Sequence, residues 1–179
     1  KGRSGNPAVL RELGAPLGLE AVTVGPVHDA TGPISSSRIR EALKTGDCET
    51  AAALLTRPFA IRGVVQHGDK VGRTIGFRTA NLPLENYLRP RFGIYAVTGH
   101  LIGQDTVLKG AANIGVRPHF DPSKELLEPH FFDFSGDLYG QEVEVAFHHF
   151  IRPEAKFASL DELVAQIGKD CDRARELLG

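Results

Sequence analysis

The sequence predicts a mainly β protein: a small antiparallel barrel with a C-terminal helix, preceded by an α/β segment. Short stretches in which apolar and polar residues alternate recur between residues 59 and 150, separated by Gly, Pro and Asp turns. Helical periodicity dominates instead before residue 58 and after residue 159. Many short strands joined by close turns favour a closed barrel, because closure removes unpaired sheet edges.

The beginning of the chain predicts part of an α/β domain. Residues 7–13 predict a short helix, because Pro7 suits a first helical turn and Gly14 suits a helix end. Residues 19–24 are apolar enough to predict a buried strand. Together with the helices predicted after residue 35, this part of the chain has the order helix, strand, helix.

Two capped helices and a domain boundary follow. A serine run at 35–37 precedes a helical segment, and serine oxygens accept the free N–H groups of a helix start. Asp47 in the same way predicts a helix over residues 48–55. Pro58 disfavours a helical conformation at the preceding residue. We therefore predict two domains, 1–57 and 58–179.

The period changes to 2 after this boundary, which predicts strands. The last candidate is the clearest, because Val143, Val145 and Phe147 fall on one face. Ser159 and Glu162 form a capping box ahead of an apolar stripe at helical spacing, so a final helix should pack across the barrel. The five strand candidates are 59–66, 94–101, 106–114, 126–134 and 142–150.

Composition excludes several classes of protein. The formal net charge of -1 argues against a nucleic-acid or membrane-surface partner, which would favour a basic excess. No apolar run reaches the roughly 18 residues that span a bilayer. Cys48 and Cys171 are far apart and need no disulfide, which predicts reduced thiols in a cytoplasmic protein. We expect a monomer or a weak homo-oligomer.

The chain contains no methionine and begins Lys1-Gly2-Arg3. It therefore carries no initiator residue of its own. We expect the sequence to be a fragment of a longer protein.

A glycine-rich segment is the most informative part of the chain. Gly68, Gly72 and Gly76 alternate with the cations Lys70 and Arg73. Glycines let backbone N–H groups approach a phosphate closely, and cations neutralise its charge. The segment therefore predicts a nucleotide phosphate site, although a surface loop with a solvated cationic rim explains it nearly as well.

A Thr-x-Asn pair follows this segment. In an extended chain Thr79 and Asn81 point to one face, because side chains alternate with period 2. A hydroxyl and an amide carbonyl are hard oxygen ligands that suit Mg²⁺ beside a nucleotide. The alternatives are a β-branched strand residue for Thr79 and a turn residue ahead of Pro83 for Asn81.

Glu128 is the candidate general base. It is the single central carboxylate of an apolar strand and shares a face with Leu126, His130 and Phe132. Apolar surroundings disfavour an ionised carboxylate and so strengthen its affinity for a proton, as a base requires. The alternative is an edge-strand glutamate that faces water beside Pro129.

These residues resemble a known family. The run Gly72-Arg73-x-Ile-Gly-Phe-x-Thr79-Ala80-Asn81 resembles the signature of riboflavin kinases, with Arg78 where the family usually has proline. More closely, the chain is similar to the C-terminal part of the bacterial bifunctional riboflavin kinase/FAD synthetases. Supporting matches are Asn113-Ile-Gly115-Val-Arg-Pro118-His-Phe and Asp137-Leu-Tyr-Gly140.

The resemblance implies a fold, a reaction and roles for the residues. It implies a six-stranded Greek-key barrel with a C-terminal helix, and the conversion of riboflavin and ATP to FMN and ADP. Thr79 and Asn81 would hold the Mg²⁺ of MgATP, with the loop from Gly68 to Gly76 over the phosphates. Glu128 would act as base on the ribityl 5′-hydroxyl.

A second resemblance lies near the beginning of the chain. Ile34-Ser35-Ser36-Ser37-x-Ile39-Arg40 resembles a nucleotidylyltransferase motif, which implies a remnant of a phosphate site at Ser35, Ser36, Ser37 and Arg40. Hydroxyls and N–H groups at a helix start, with an arginine, suit a phosphate. A plain N-cap explains the same letters. The family's His-x-Gly-His motif is absent, so the adenylyltransferase site would be incomplete in this chain.

Two other functions remain open at this point. One is a flavin-binding barrel without catalysis, although flavin stacking alone requires neither a Thr-x-Asn pair nor Glu128. The other is FMN adenylylation as the main activity of the intact parent protein, which would need sequence that this chain lacks.

Overall fold

The computed structural model describes residues 5–67, 76–117 and 124–179 of the chain. The chain forms two compact units, Lys1–Ile34 and Ser35–Gly179. The second unit therefore groups the two helices before Pro58 with the barrel. The predicted boundary between two domains at residue 57 stays a prediction.

The first unit contains helix α1 (Pro7–Gly14) and a hairpin of two short strands. Asn6 caps α1, because its Oδ1 accepts hydrogen bonds from the N–H groups of Ala8 at 2.9 Å and Val9 at 3.0 Å. A 3₁₀ turn, Ala15–Leu17, follows α1. Strands β1 (His28–Asp29) and β2 (Gly32–Pro33) pair in an antiparallel hairpin.

The predicted strand over residues 19–24 is wrong. The structure assigns no strand there, and Val22 and Val24 are 78% and 87% exposed. A strand becomes buried only when neighbouring strands pair with it and another layer covers it. No such partner occurs among the described residues, and the α/β character of this part of the chain stays a prediction.

The second unit begins with two consecutive helices, α2 (Ser36–Thr45) and α3 (Cys48–Leu55). Gly46 ends α2 in the left-handed conformation at φ 86°, and Asp47 Oδ1 accepts the N–H of Thr50 at 2.9 Å. Both caps were predicted. The apolar faces of α2 and α3 meet in a small core, which is formed by Ile39, Ala42, Leu43 and Ala51 with Phe59 and Leu88.

Six antiparallel strands form the barrel, in the order β3-β8-β5-β6-β7-β4. A backbone bridge between Gln66, just after β3, and Asn81, just before β4, joins the two ends of the sheet. The expected six-stranded antiparallel barrel is therefore confirmed. The strands are β3 (Phe59–Val64), β4 (Leu82–Pro83), β5 (Gly93–Leu101), β6 (Val107–Arg117), β7 (Lys124–Phe131) and β8 (Glu142–Arg152).

Alternate residues of each strand separate an inner from an outer face of the barrel. The inner face is a closed apolar core that includes Ile61, Tyr95, Val97, Ile114, Leu127, Val145 and Phe147. The expected C-terminal helix, α4 (Leu160–Leu178), packs against the outer face of β5 and β6. That second core contains Ala96, Ala111, Phe132, Cys171 and Ala174. The candidate site lies on the same outer face, where Asn113 and Glu128 are located.

Candidate active site

Strand pairing places three candidate polar side chains in a row across the outer face of the sheet. Glu128 on β7 pairs with Asn113 on β6. On the other side of β7, Leu82 pairs with Leu127 and the N–H of Ala80 donates to the carbonyl of Pro129 at 2.9 Å. This register places Asn81 opposite Glu128. Side chains of directly opposite residues have Cβ atoms about 5 Å apart, so Glu128 lies between two amides.

Thr79 lies one step along the same face. The register that places Asn81 opposite Glu128 places Thr79 opposite His130. The Nδ1 of His130 lies 2.8 Å from the carbonyl oxygen of Arg78, and because a carbonyl can only accept, the ring donates. The His130 ring also contacts Phe77 edge to face at 5.4 Å between centroids. His130 therefore holds the extended segment that presents Thr79.

A cleft of about 260 Å³ opens beside the Thr-x-Asn pair. Its wall on one side is the segment from Arg78 to Asn81, and on the other side the turn from Phe134 to Tyr139. The Tyr139 ring stacks on His67 at 3.9 Å between centroids, which gives the cleft a flat aromatic edge. Pro129, the residue after Glu128, also lines the cleft. The cleft therefore reaches the β7 backbone next to Glu128, whose own side chain lies on the opposite face of the strand from that of Pro129.

Asn113 is a site residue that the sequence did not single out as functional. Its Oδ1 is buried, and no donor in the described ranges 5–67, 76–117 and 124–179 forms a hydrogen bond with it. Buried amide oxygens are almost always satisfied, so this atom is a candidate acceptor for a ligand. The position of Asn113 beside Glu128 follows from the pairing of β6 with β7, which a residue pattern alone does not specify.

Residues 55–178 match the family model described as riboflavin kinase (Flavokinase). The chain belongs to the riboflavin kinase family. The matched range includes every strand of the barrel, both sides of the cleft and helix α4.

Relatives with this riboflavin kinase region carry a second activity in their names. The chain is 43% identical over 178 residues to the bifunctional riboflavin kinase/FMN adenylyltransferase of Escherichia coli K12, covering 99% of this chain and 56% of the relative. It is 46% identical over 145 residues to the Bacillus subtilis protein of the same name, covering 79% of this chain and 45% of that protein. The chain therefore spans about half the length of these relatives.

A solved structure shares the fold over most of the chain. It is described as a macrolide-efflux protein from Streptococcus pneumoniae, and it matches with a TM-score of 0.79 at 38% identity. The match covers 92% of this chain and 54% of that chain. Among the helices of the described residues, none combines the length and apolar character that a membrane crossing requires.

The riboflavin kinase signature is only partly within the described residues. Gly68, Lys70, Gly72 and Arg73 lie outside them, so their predicted role over the phosphates stays a prediction. Gly76 is described and has φ +87°, a left-handed conformation that favours glycine. This glycine lets the chain turn into the extended segment that carries Thr79.

Thr79 and Asn81 carry oxygen atoms of the kind that suits the Mg²⁺ ion of a nucleotide complex. Asn81 is only 8% exposed and Thr79 is half-buried, and both line the cleft. Hydroxyl and amide oxygens are suitable hard ligands. Groups of three or more His, Cys, Asp or Glu side chains that could hold a metal ion do not occur in the described part of the chain. The residues present fit a metal bound mainly by the nucleotide, with the protein supplying few ligands.

The serine motif near the domain boundary lies at the beginning of α2. Ser35 Oγ accepts the N–H of Arg38 at 3.3 Å, and Arg40 Nη1 donates to Ser36 Oγ at 3.1 Å. Ser37 is exposed. These contacts are those of an N-capped helix, while the predicted phosphate role of the four residues stays a prediction.

Proposed function

We propose that this chain transfers the γ-phosphoryl group of ATP to the 5′-hydroxyl of riboflavin, giving ADP and FMN. The observation that carries the proposal is the register that puts Asn81 opposite Glu128 on one face, beside the cleft that Thr79 lines. In this proposal a nucleotide site at Thr79 and Asn81 and a general base at Glu128 are neighbours. Membership of the riboflavin kinase family supplies the substrates.

Each residue has one task in the proposed reaction. Glu128 accepts the proton of the 5′-hydroxyl as its oxygen forms a bond to the γ-phosphorus, and the bond from that phosphorus to the ADP oxygen breaks. Thr79 and Asn81 would hold Mg²⁺, which neutralises phosphate charge when bound. Asn113 would accept a hydrogen bond through its buried Oδ1. The chain's contribution is therefore positioning and proton acceptance.

The aromatic edge of the cleft suits the adenine of ATP. The stacked pair of Tyr139 and His67 presents a flat surface next to Leu138 and Val65. Aromatic rings stack favourably on nucleobases. We place adenine there and the phosphates toward Thr79, so that the γ-phosphate lies nearest Glu128.

A coupled assay tests this function directly. ADP release should depend on riboflavin, should stop when a chelator removes divalent cations, and should return when Mg²⁺ is restored. FMN should appear in equal amount. Binding of riboflavin without any ADP release would instead support a flavin-binding barrel that does not catalyse.

The names of the relatives support a second activity for a longer parent protein, FMN adenylylation to FAD. The serine motif at the beginning of α2 would then contribute to that site. Mass detection of FAD from FMN and ATP tests the activity, and this chain should give none if the site needs the preceding sequence. We expect a cytoplasmic protein that is a monomer or a weak homo-oligomer, which sedimentation would measure.

A further inference from the structure

One carboxylate on the outer face has no role in the reaction described above. Glu154 follows β8, and its carboxylate lies directly over Gly115 of β6; a Cβ atom at position 115 would overlap it. Gly115 is on the outer face, because its neighbour Ile114 faces the inner core. The Glu154 carboxylate is therefore on the same face as Asn113 and Glu128.

The position of Glu154 is held by the chain on either side of it. Arg152 donates to the buried Asp170 through Nε at 2.9 Å and Nη2 at 2.6 Å, which ties the end of β8 to α4. Arg152 also donates to the carbonyl of Pro153 at 2.9 Å. Its guanidinium lies over the ring of Phe157 at 5.8 Å. The chain just before Glu154 is thus tied to α4 through Arg152.

The carboxylate itself has acceptor capacity to spare. Within the described ranges, no arginine, lysine or N–H group forms an ion pair or hydrogen bond with Glu154, and Glu154 is exposed. An ionised carboxylate only accepts hydrogen bonds, so its ligand must be a donor such as a hydroxyl. A bond to a charged acceptor is among the stronger hydrogen bonds.

The spacing matches a short polyol. Gly115 and Asn113 are two residues apart on β6, which corresponds to about 7 Å along the strand. Asn113 is opposite Glu128. A carbon chain with several hydroxyls can therefore place its terminal hydroxyl at Glu128 and its inner hydroxyls at Glu154, with Asn113 between them.

We infer that Glu154 positions the acceptor: its carboxylate accepts hydrogen bonds from the inner hydroxyl groups of the ribityl chain and so directs the 5′-hydroxyl to Glu128. The inference rests on the proposed function, because it takes riboflavin as the acceptor. A Cβ atom at position 115 would displace the Glu154 carboxylate from this position.

Binding of two flavins, without ATP, tests this inference. Quenching of flavin fluorescence should show that Glu154→Ala weakens riboflavin binding about tenfold or more, as expected for one lost bond to a charged group. Binding of lumiflavin, which has the same ring without the ribityl chain, should not change. In turnover, KM for riboflavin should rise by a similar factor while KM for ATP stays constant.

Two further variants make the test independent of the folding of Glu154→Ala. Gly115→Ala keeps the carboxylate but forces it to move, and it should weaken riboflavin binding in the same way. Asp105→Asn removes an exposed carboxylate in the turn before β6 and should bind riboflavin like the wild type.

The outcomes separate this inference from the proposed function. Unchanged riboflavin affinity in both Glu154→Ala and Gly115→Ala overturns the inference while wild-type turnover keeps the function. An equal loss for lumiflavin also overturns it, because Glu154 would then contact the ring. A wild-type protein that binds riboflavin more tightly than lumiflavin, loses this preference in Glu154→Ala and never releases ADP would refute only the kinase activity.

Discussion

Glu128 is flanked by two amide side chains on the outer face of the sheet. Asn113 lies opposite it on β6 and Asn81 on the β4 side, while the inner face beneath is apolar. We therefore expect Glu128→Gln to fold and bind both substrates but to lose about 100-fold or more in kcat, the usual size of a general-base contribution. Steady-state kinetics measure this, with thermal unfolding as a check on folding.

The matched control for Glu128 is another half-buried glutamate. Glu144 lies on the outer face of β8, away from the cleft, and Glu144→Gln should keep wild-type turnover. Turnover in Glu128→Gln equal to that of this control would exclude Glu128 as the base.

Thr79 tests the proposed metal site. Thr79→Val keeps the shape of the side chain and removes only its hydroxyl oxygen. The Mg²⁺ concentration that gives half-maximal ADP release should rise about tenfold, equivalent to about 1.4 kcal/mol of binding free energy. Thr106→Val, at an exposed position before β6, should leave this concentration unchanged. An unaltered Mg²⁺ dependence in Thr79→Val would remove the hydroxyl from the metal site.

At the scale of elements, the junction of α2 and α3 depends on a glycine in close contact with β8. Gly46 has φ +86°, and a Cβ there would lie 3.0 Å from Cγ of Phe150. Gly103 has the same φ but no neighbouring atom within 4 Å. Both alanine variants carry backbone strain of about 1–2 kcal/mol, so only Gly46→Ala adds a packing cost.

We expect Gly46→Ala to lower the free energy of unfolding by about 1 kcal/mol more than Gly103→Ala does. Denaturant titration of both variants measures the difference. Equal losses would show that the Phe150 ring moves aside without cost.

A partly buried histidine on β8 makes stability depend on pH. Burial, and to a lesser extent the charge of His149, lowers the pKa of His148, whose Nε2 lies 2.9 Å from Thr98 Oγ1. The unfolded chain then binds the proton more tightly than the folded chain. Stability should be complete above the unfolded pKa of about 6.5 and fall as the pH decreases toward the folded pKa.

Denaturant midpoints at pH 7.5 and pH 5.5 test this dependence. His148→Gln should reduce the difference between the two midpoints, whereas His28→Gln, at an exposed position in the first unit, should not. The same pH dependence in wild type and His148→Gln would assign it to other groups.

At the scale of the whole molecule, the compact unit begins well before the region that matches the family model. Residues 35–179 form one unit, in which Arg91 donates its backbone N–H to the carbonyl of Leu43 at 2.9 Å and His149 contacts Glu49. A chain that begins at Ser35 should therefore keep the unfolding midpoint of the full sequence. A chain that begins at Pro58 should lose about 3 kcal/mol or more, since it removes buried Leu43 and Leu54.

Calorimetry of the two truncated chains measures this. Equal midpoints for both would show that the barrel is independent of α2 and α3, as the predicted boundary at residue 57 implies.

The helix caps and the strands were predictable to different extents. Asp47 and Ser159 were identified as caps because an N-cap depends on a few adjacent residues, and Ser159 Oγ indeed accepts the N–H of Glu162 at 3.2 Å. Strand β4 was missed, because it has two residues and contains a proline. The strand predicted at 19–24 failed for the related reason that a sheet needs distant partners.

The sequence by itself determined the elements that depend on neighbours along the chain, the mainly β class, and the residue types Thr79, Asn81 and Glu128 that suit phosphoryl transfer. Only the tertiary structure decided which of them are adjacent, because pairing in an antiparallel sheet joins residues far apart in the chain. That pairing brought Asn113 beside Glu128, and the packing of the chain after β8 set the carboxylate of Glu154 over Gly115. Neither relation leaves a periodic signal, since register is selected by the burial of a whole face rather than by any single residue.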